Sequence, residues 1–314
     1  MSARDRLPQL DGGLFITDGG LETTLIFKRG IDLPLFAAFT LLADEDGRRA
    51  LRSYYEPYMA VAAEHDAGFL LDTPTWRASP RWAGELGISL NELEALNRSS
   101  VELIEGLRDE HGPRIAGPIV LTGVIGPQDD GYQPHQLLGA DEAQEYHATQ
   151  VSTFADTAAE MVSGMTLTYV EEAIGITRAA QAAGIPAAIS FTVETDGRLP
   201  SGQALAEAIE QVESETAGGP AYYMVNCAHP THFERVLEPH TPWAERILGV
   251  RANASTMSHA ELDQATELDE GDPDDLGARY VELAGKLPNM NVLGGCCGTD
   301  SRHVAAIAAD WPRA

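Results

Sequence analysis

Apolar and polar residues alternate along the chain in two kinds of segment. Eight short runs rich in Val, Ile, Leu and Phe are typical of strands buried on both faces of a sheet. These runs lie at residues 14–17, 68–73, 119–124, 164–169, 187–193, 222–226, 246–251 and 291–295. The segments between them repeat apolar residues three and four positions apart, which indicates helices. The predicted helices lie at 44–66, 91–110, 141–162, 170–183, 202–216, 274–286 and 301–311, with a short helix after Pro230.

Strands and helices that alternate over 314 residues predict an α/β fold, a (β/α)8 barrel of the TIM type. The alternative is an open doubly wound sheet, which normally has a glycine-rich phosphate loop after its first strand. Here the first strand is followed by DGGLETT at 18–24, which lacks the G-x-G-x-x-G spacing. We find no linker, so we expect residues 1–314 to form one barrel domain, with the acidic segment 252–273 as a lid or rim.

The amino-acid composition limits the kinds of molecule that the protein is expected to bind. There are 48 Asp and Glu residues against 21 Lys and Arg residues, which gives a net charge of −27. A surface of this sign repels nucleic acid and anionic membranes, so we expect neither as a partner. The N-terminal residues are too polar for a secretory signal, and no apolar run reaches the ~18 residues of a membrane span. With only three cysteines, these features favour a cytoplasmic protein, either a monomer or a homo-oligomer.

All three cysteines directly follow predicted strands, where the active sites of such barrels lie. Cys227 follows the sixth strand, and Cys296 and Cys297 follow the eighth. Those strand ends are about 10 Å apart at ~4.8 Å per strand, so one metal ion can lie between them. Three thiolates suit zinc and leave a fourth position open, as in catalytic zinc sites. Alternatively, Cys296 and Cys297 are small buried hydrophobes or a vicinal disulfide, and the spacing alone does not decide.

Three segments bear a specific resemblance to a known family. DGGLETTL near the N-terminus, VNCAHP in the sixth unit and GGCCGT near the C-terminus resemble the signature segments of the homocysteine S-methyltransferase family. The resemblance extends from about residue 12 to about residue 310. It implies a (β/α)8 barrel in which Cys227, Cys296 and Cys297 bind Zn²⁺. It further implies methyl transfer to the zinc-bound thiolate of homocysteine, giving methionine, from S-methylmethionine, S-adenosylmethionine, betaine or a similar small donor.

The same resemblance implies a set of substrate contacts at the strand ends. They are Asp18, Gly19, Gly20, Glu22, Thr73, Trp76, Asn226 and Asn253. We expect Trp76 either to face a cationic methyl donor or to pack at the barrel mouth. For the Asp and Asn residues the alternative is local turn hydrogen bonding. His229 and His232 are weaker metal candidates beside a helix start, and the acidic segment 269–275 is predicted to be a solvated turn.

The chain departs from the family pattern at the end of the fourth strand. Family members carry a glutamate there that binds the substrate's amino group, whereas this chain has Met165 or Leu167 at that position. The nearest carboxylates, Glu171 and Glu172, lie in the following helix. Three hypotheses remain: homocysteine is bound with Glu22 as the replacement, a different thiol or selenol is methylated, or the barrel is a non-catalytic zinc or redox-sensing protein.

Overall fold

Eight parallel strands close into a barrel in chain order. The structure is a computed structural model, and it describes residues 4–312. The strands are β1 (Phe15–Ile16), β2 (Gly68–Asp72), β3 (Ile119–Ile125), β4 (Met161–Leu167), β5 (Ala187–Phe191), β6 (Tyr222–Asn226), β7 (Ile247–Ala252) and β8 (Val292–Gly295). Phe15 of β1 pairs with Gly68 of β2 on one side and with Val292 of β8 on the other, which closes the ring. The predicted (β/α)8 barrel is therefore confirmed.

Helices surround the barrel and also form parts of its loops. They are α1 (Leu21–Thr23), α2 (Glu45–Glu64), α3 (Pro80–Glu85), α4 (Leu90–His111), α5 (Ala140–Ala155), α6 (Val170–Ala183), α7 (Leu205–Thr216), α8 (Pro230–Phe233), α9 (His259–Gln264), α10 (Pro273–Ala284) and α11 (Ser301–Asp310). Local sequence explains several starts: Ser89 and Glu92 form a capping box on α4, and Asp272 caps α10. The short helices α1, α3 and α9 were not predicted, and α9 lies within the segment expected to be a lid or rim.

The predicted boundaries around the fourth strand were wrong. The helix predicted at 141–162 ends at Ala155, and the strand begins at Met161, three residues earlier than expected. The apolar residues here fit the helical and the strand period alike, so periodicity could not locate the boundary. A distant contact helps to end α5, because the Arg4 guanidinium donates to the carbonyl of Ala155 and to carbonyls of the turn that follows. These are acceptors that a helix end leaves unpaired.

The barrel interior is apolar and its amino end is closed. Side chains from successive strands fill it, among them Phe15, Leu70, Val120, Met161 and Tyr222. Below them the turn Pro8–Asp11 carries buried Gln9, which donates to the Tyr222 hydroxyl at 3.3 Å. The space for a ligand therefore lies at the carboxyl ends of the strands. Among the described residues, no helix combines the length and apolar character needed to cross a membrane.

Candidate metal and substrate site

The three cysteines lie together at the carboxyl end of the barrel. Cys227 follows β6, Cys296 and Cys297 follow β8, and all three are free thiols. Their Sγ atoms lie within 4.8 Å of one another, with 3.6 Å between those of Cys227 and Cys297. Tetrahedral Zn–S bonds of ~2.3 Å place sulfur atoms about 3.8 Å apart, so the cluster fits a zinc ion. In residues 4–312, no other group of three His, Cys, Asp or Glu side chains is so arranged.

The cluster favours one thiolate over three separate thiols. Hydrogen bonds from Cys227 and Cys297 lower the pKa of Cys296 well below that of an ordinary thiol, and the charge of Arg251 lowers it further. The same hydrogen bonds, together with burial, raise the pKa of Cys227. These pKa shifts favour ionisation of Cys296, next to a buried cation. Thiolate rather than thiol is the form that binds metal.

The backbone at Cys227 is strained and is held in place by side chains. Its φ of 57° is left-handed, a conformation that costs a residue with a β-carbon ~1–3 kcal/mol. Three donors converge on the Cys227 carbonyl: His259 Nε2 at 2.8 Å, Asn253 Nδ2 at 3.0 Å and Thr192 Oγ1 at 3.3 Å. This convergence stabilises the turn that directs the Cys227 sulfur toward the other two.

Tyr132 reaches the thiols from the loop after β3, and sequence reasoning missed it. Its hydroxyl lies 3.1 Å from Cys227 Sγ and donates toward Cys297 Sγ at 3.7 Å. Burial, reinforced by the neighbouring thiols, raises the pKa of Tyr132 well above its ordinary value, so the hydroxyl keeps its proton. The ring stacks on His259 with centroids 4.1 Å apart, and Asp130 accepts from the Tyr132 amide. Its place just after a strand was the one signal that could have indicated it.

A buried ion-pair network joins the carboxyl ends of three strands. Arg251 at the end of β7 pairs with Asp18 after β1 and with Asp72 at the end of β2. Its Nε donates to the Gly295 carbonyl at 3.3 Å, and the Tyr54 hydroxyl donates to Asp18 at 3.0 Å. Burial raises the pKa of Asp18 to about 7, although Arg251 acts in the opposite direction. Asp18 was predicted as a substrate contact, whereas Arg251 and Asp72 were missed because no local pattern links them.

The end of β4 is irregular and is tied to β6. A bulge precedes Leu167, and Thr166 within it has a φ of 61°. Asn226 accepts from the Thr166 amide at 2.9 Å and donates to the Thr166 hydroxyl at 2.8 Å. Met165 lines the cavity, whereas Leu167 packs in the apolar layer between barrel and helices. Of the two candidates for the family's glutamate position, Met165 is therefore the residue that lines the cavity.

A cavity of about 430 Å³ borders the thiols. The residues predicted from the sequence that lie on its wall are Asp18, Gly19, Gly20, Glu22, Thr73, Trp76, Asn226, Cys227, Cys296 and Cys297. Asn253 is buried beside the cavity instead, where its amide supports Cys227. Burial raises the pKa of Glu22 to about 7, with smaller contributions from Cys296 and Asp18. The structure thus brings together all but one of the predicted residues around one space.

The ring of Trp76 is already occupied on one face. The Arg77 guanidinium lies between Trp76 and Trp82, 4.2 Å and 3.7 Å from their ring centroids. Arg77 also pairs with Asp130 at 3.5 Å, which ties this stack to the loop that carries Tyr132. A cationic donor can therefore meet only the remaining surface of the Trp76 ring, since a guanidinium already covers one side.

The two histidines that follow Cys227 lie outside the thiol cluster. His229 Nδ1 is 2.8 Å from the Thr231 hydroxyl, and His232 Nε2 donates to the Thr256 carbonyl at 2.9 Å. Burial lowers the pKa of His229 to about 4, so this ring is neutral at physiological pH. In the acidic segment 269–275, Asp269 accepts from the Gly271 amide, whereas Asp272 caps α10 and residues 273–275 are the first turn of that helix. The predicted turn is therefore limited to the residues before α10.

Comparison with known proteins finds solved structures with the same barrel fold and one matching protein family. The sequence profile described as homocysteine S-methyltransferase matches residues 15–311. The homocysteine methyltransferase MmuM from Escherichia coli is similar in structure. Its oxidized form gives 20% identity and a TM-score of 0.74, covering 95% of this chain and 96% of that one. Its metallated form gives 20% identity and a TM-score of 0.71 over the same shares.

This level of identity shows a shared fold and nothing finer. No curated protein matches the chain. The family profile, in contrast, spans nearly the whole sequence and includes every strand and all three cysteines. The protein therefore belongs to the homocysteine S-methyltransferase family and is a methyltransferase of class EC 2.1.1.

Proposed function

We propose that this protein is a zinc-dependent S-methyltransferase that moves a methyl group from a small onium donor to a small thiol. The cluster of Cys227, Cys296 and Cys297 beside an accessible cavity carries the proposal. Three thiolates leave one position of a tetrahedral ion for a substrate. When bound, Zn²⁺ supplies the Lewis acidity that keeps an acceptor thiol deprotonated at neutral pH. A homocysteine methyltransferase of this fold exists in a metallated form, which supports a metal here.

The reaction is a displacement at the methyl carbon. The acceptor sulfur forms a bond to that carbon, while the bond from the carbon to the donor's sulfur or nitrogen breaks. Its electron pair stays on the donor's sulfur or nitrogen atom, which loses its positive charge, and the thiol proton leaves to solvent. The protein positions the reactants and excludes water, since these contributions lower the barrier without a general base. Tyr132 contributes by donating its hydroxyl proton toward Cys297 Sγ while its oxygen contacts Cys227 Sγ, which helps to fix the direction of both sulfurs.

The charges on the cavity wall favour a cationic donor. The carboxylates on the wall belong to Asp18, Glu22, Asp72, Asp130, Asp263, Glu267 and Asp269, and the guanidinium groups belong to Arg77 and Arg251. A cleft in which one sign dominates concentrates ligands of the opposite sign. Sulfonium and quaternary ammonium donors therefore fit this wall better than an anionic folate does.

The test is a methyl-transfer assay with zinc-loaded protein. Homocysteine, the acceptor in the family's name, is mixed separately with S-methylmethionine, S-adenosylmethionine, betaine and methyltetrahydrofolate, and then other thiols replace homocysteine. Mass spectrometry detects the methylated thiol, which is methionine in the first case. Product formed by the intact protein and not by Cys227→Ser supports the proposal. Stoichiometric zinc without product from any pair of substrates overturns it and leaves a non-catalytic zinc or redox role.

A further inference from the structure

The carboxylates at the floor of the cavity are already paired within the protein. Both oxygens of Asp18 have donors, since Oδ1 pairs with Arg251 and Oδ2 accepts from the Tyr54 hydroxyl. Asp72 pairs with the second terminal nitrogen of Arg251. Nε of the same guanidinium donates to the Gly295 carbonyl. This network therefore offers a bound zwitterion neither a free carboxylate for its ammonium nor a free cation for its carboxylate.

The wall beside the thiols is apolar at the end of β4. Asn226 links this strand end to the cluster, because it bonds to Thr166 and its Nδ2 lies 3.8 Å from Cys296 Sγ. Met165 precedes Thr166, lines the cavity and is 5% exposed. A substrate atom near this point meets a thioether and no charge.

The mouth of the cavity combines exposed acidic residues with a large apolar surface. Phe27 and Phe36 each remain 44% exposed and line one side, and Leu262 and Leu268 also border the cavity. Exposed aromatic rings at the edge of a pocket are typical of surfaces that contact apolar ligand groups. Apart from Glu22, the charged groups of the wall are thus paired or peripheral, and apolar surface predominates between them.

We infer that the acceptor is a small apolar thiol without a charged amino-acid head group, an inference that rests on the proposed methyl transfer. Burying an ammonium and a carboxylate without partners is strongly unfavourable, whereas burying an alkyl chain is favourable. Glu22 is the competing feature, because it lines the cavity and forms no ion pair within the described chain. The test must therefore decide between Glu22 as a substitute partner for an ammonium and an acceptor that carries none.

Four thiols form a matched series that separates the two charges. Homocysteine has both, 4-mercaptobutyrate lacks the amino group, 3-aminopropane-1-thiol lacks the carboxylate, and 1-propanethiol lacks both. Their binding is measured on the Co²⁺-substituted protein through the sulfur-to-cobalt absorption, which needs no methyl donor. Methylation of each by the zinc protein is measured in parallel. We expect 1-propanethiol to bind at least tenfold more tightly than homocysteine, with the singly charged thiols between them.

Variants of Met165 test whether the apolar wall at the end of β4 disfavours thiols that carry an amino group. Met165→Glu introduces a carboxylate, and we expect it to shift the binding ratio at least tenfold toward the two amino-bearing thiols. Met165→Gln is the control of similar shape without charge, and we expect no such shift. Zinc content of both variants reports whether the cluster is intact.

The outcomes separate this inference from the proposed function. Homocysteine bound as tightly as 1-propanethiol would overturn the inference, as would homocysteine binding that is lost selectively in Glu22→Gln. Either result leaves methyl transfer intact. Conversely, if thiols bind with the expected order but none is methylated by any donor, the methyl-transfer proposal fails while the preference for an uncharged thiol stands.

Discussion

Replacing Glu22 by glutamine should stabilise the metal-free protein at neutral pH and have little effect in acid. Burial raises the pKa of this side chain from 4.5 to about 7, and the nearby Cys296 and Asp18 add to the effect. At neutral pH the folded chain therefore holds the Glu22 carboxylate partly out of water, whereas the unfolded chain exposes it fully. Glutamine preserves the shape of the side chain and removes the charge.

The magnitude follows from the difference between the folded and unfolded pKa values of Glu22. A rise from 4.5 to about 7 corresponds to about 3 kcal/mol at ~1.4 kcal/mol per pKa unit. Because the folded pKa is the higher one, the folded protein binds more protons between these values, and stability falls as pH rises through this window. The free energy of unfolding of Glu22→Gln thus equals that of the wild type below about pH 4.5. The difference in favour of the variant grows toward pH 7 and is constant above it.

Urea unfolding at a series of pH values measures this difference in the free energy of unfolding. Wild type and Glu22→Gln are compared with chelator present, and the free energies of unfolding are extrapolated to water. Glu56→Gln is the matched control, because Glu56 is exposed and its charge is solvated in both states. An increase in the free energy of unfolding of Glu22→Gln that is the same at every pH, or that is larger in acid, would refute the reasoning.

Four further substitutions test the rest of the site. Cys227→Ser should abolish stoichiometric zinc, measured by elemental mass spectrometry, together with methyl transfer, and retention of both would exclude the proposed metal site. Arg251→Met leaves two buried carboxylates without a cation and should lower the free energy of unfolding by about 3–5 kcal/mol in urea titrations; an unchanged value contradicts the network. Asn253→Ala removes a donor to the Cys227 carbonyl and should weaken zinc binding about tenfold in chelator competition. Tyr132→Phe removes the hydroxyl that contacts two of the sulfurs and should weaken zinc binding by a similar factor, while the free energy of unfolding changes by only ~1 kcal/mol.

Local patterns in the sequence were sufficient to predict the barrel and the meeting of the cysteines. Each strand is an apolar run bounded by polar residues, and parallel strands place their carboxyl ends on one face of a barrel. Cys227 and the pair at Cys296 lie just beyond such ends, so the topology alone brings them together. The pattern failed near Ala155, where the same apolar residues fit a helix and a strand.

The contacts that complete the site depend on tertiary structure. Arg251 and Asp72 are 179 residues apart, and Tyr132 and Cys227 are 95 residues apart. Neither pair has a fixed spacing or a shared motif, because each joins loops or strand ends from different parts of the barrel. His259 lies in the segment expected only to be a lid or rim, yet it donates to the Cys227 carbonyl. Such roles become visible only when the strand ends are placed in space.

The apolar residue at the family's glutamate position and the buried ion-pair network have a common consequence for the site. An arginine buried at the end of β7 requires anionic partners, and Asp18 and Asp72 supply them. Asp18 is thereby paired within the protein, which is why we expect it not to neutralise a substrate ammonium. Met165 at the end of β4 is apolar, so it adds no carboxylate to the cavity wall. A substrate amino group would therefore lack both of the carboxylates that Asp18 and a glutamate at position 165 could supply. On the opposite side, Asn253 and His259 still support Cys227. On these grounds we expect the site to bind a sulfur ligand at the three cysteines and not to bind a charged head group.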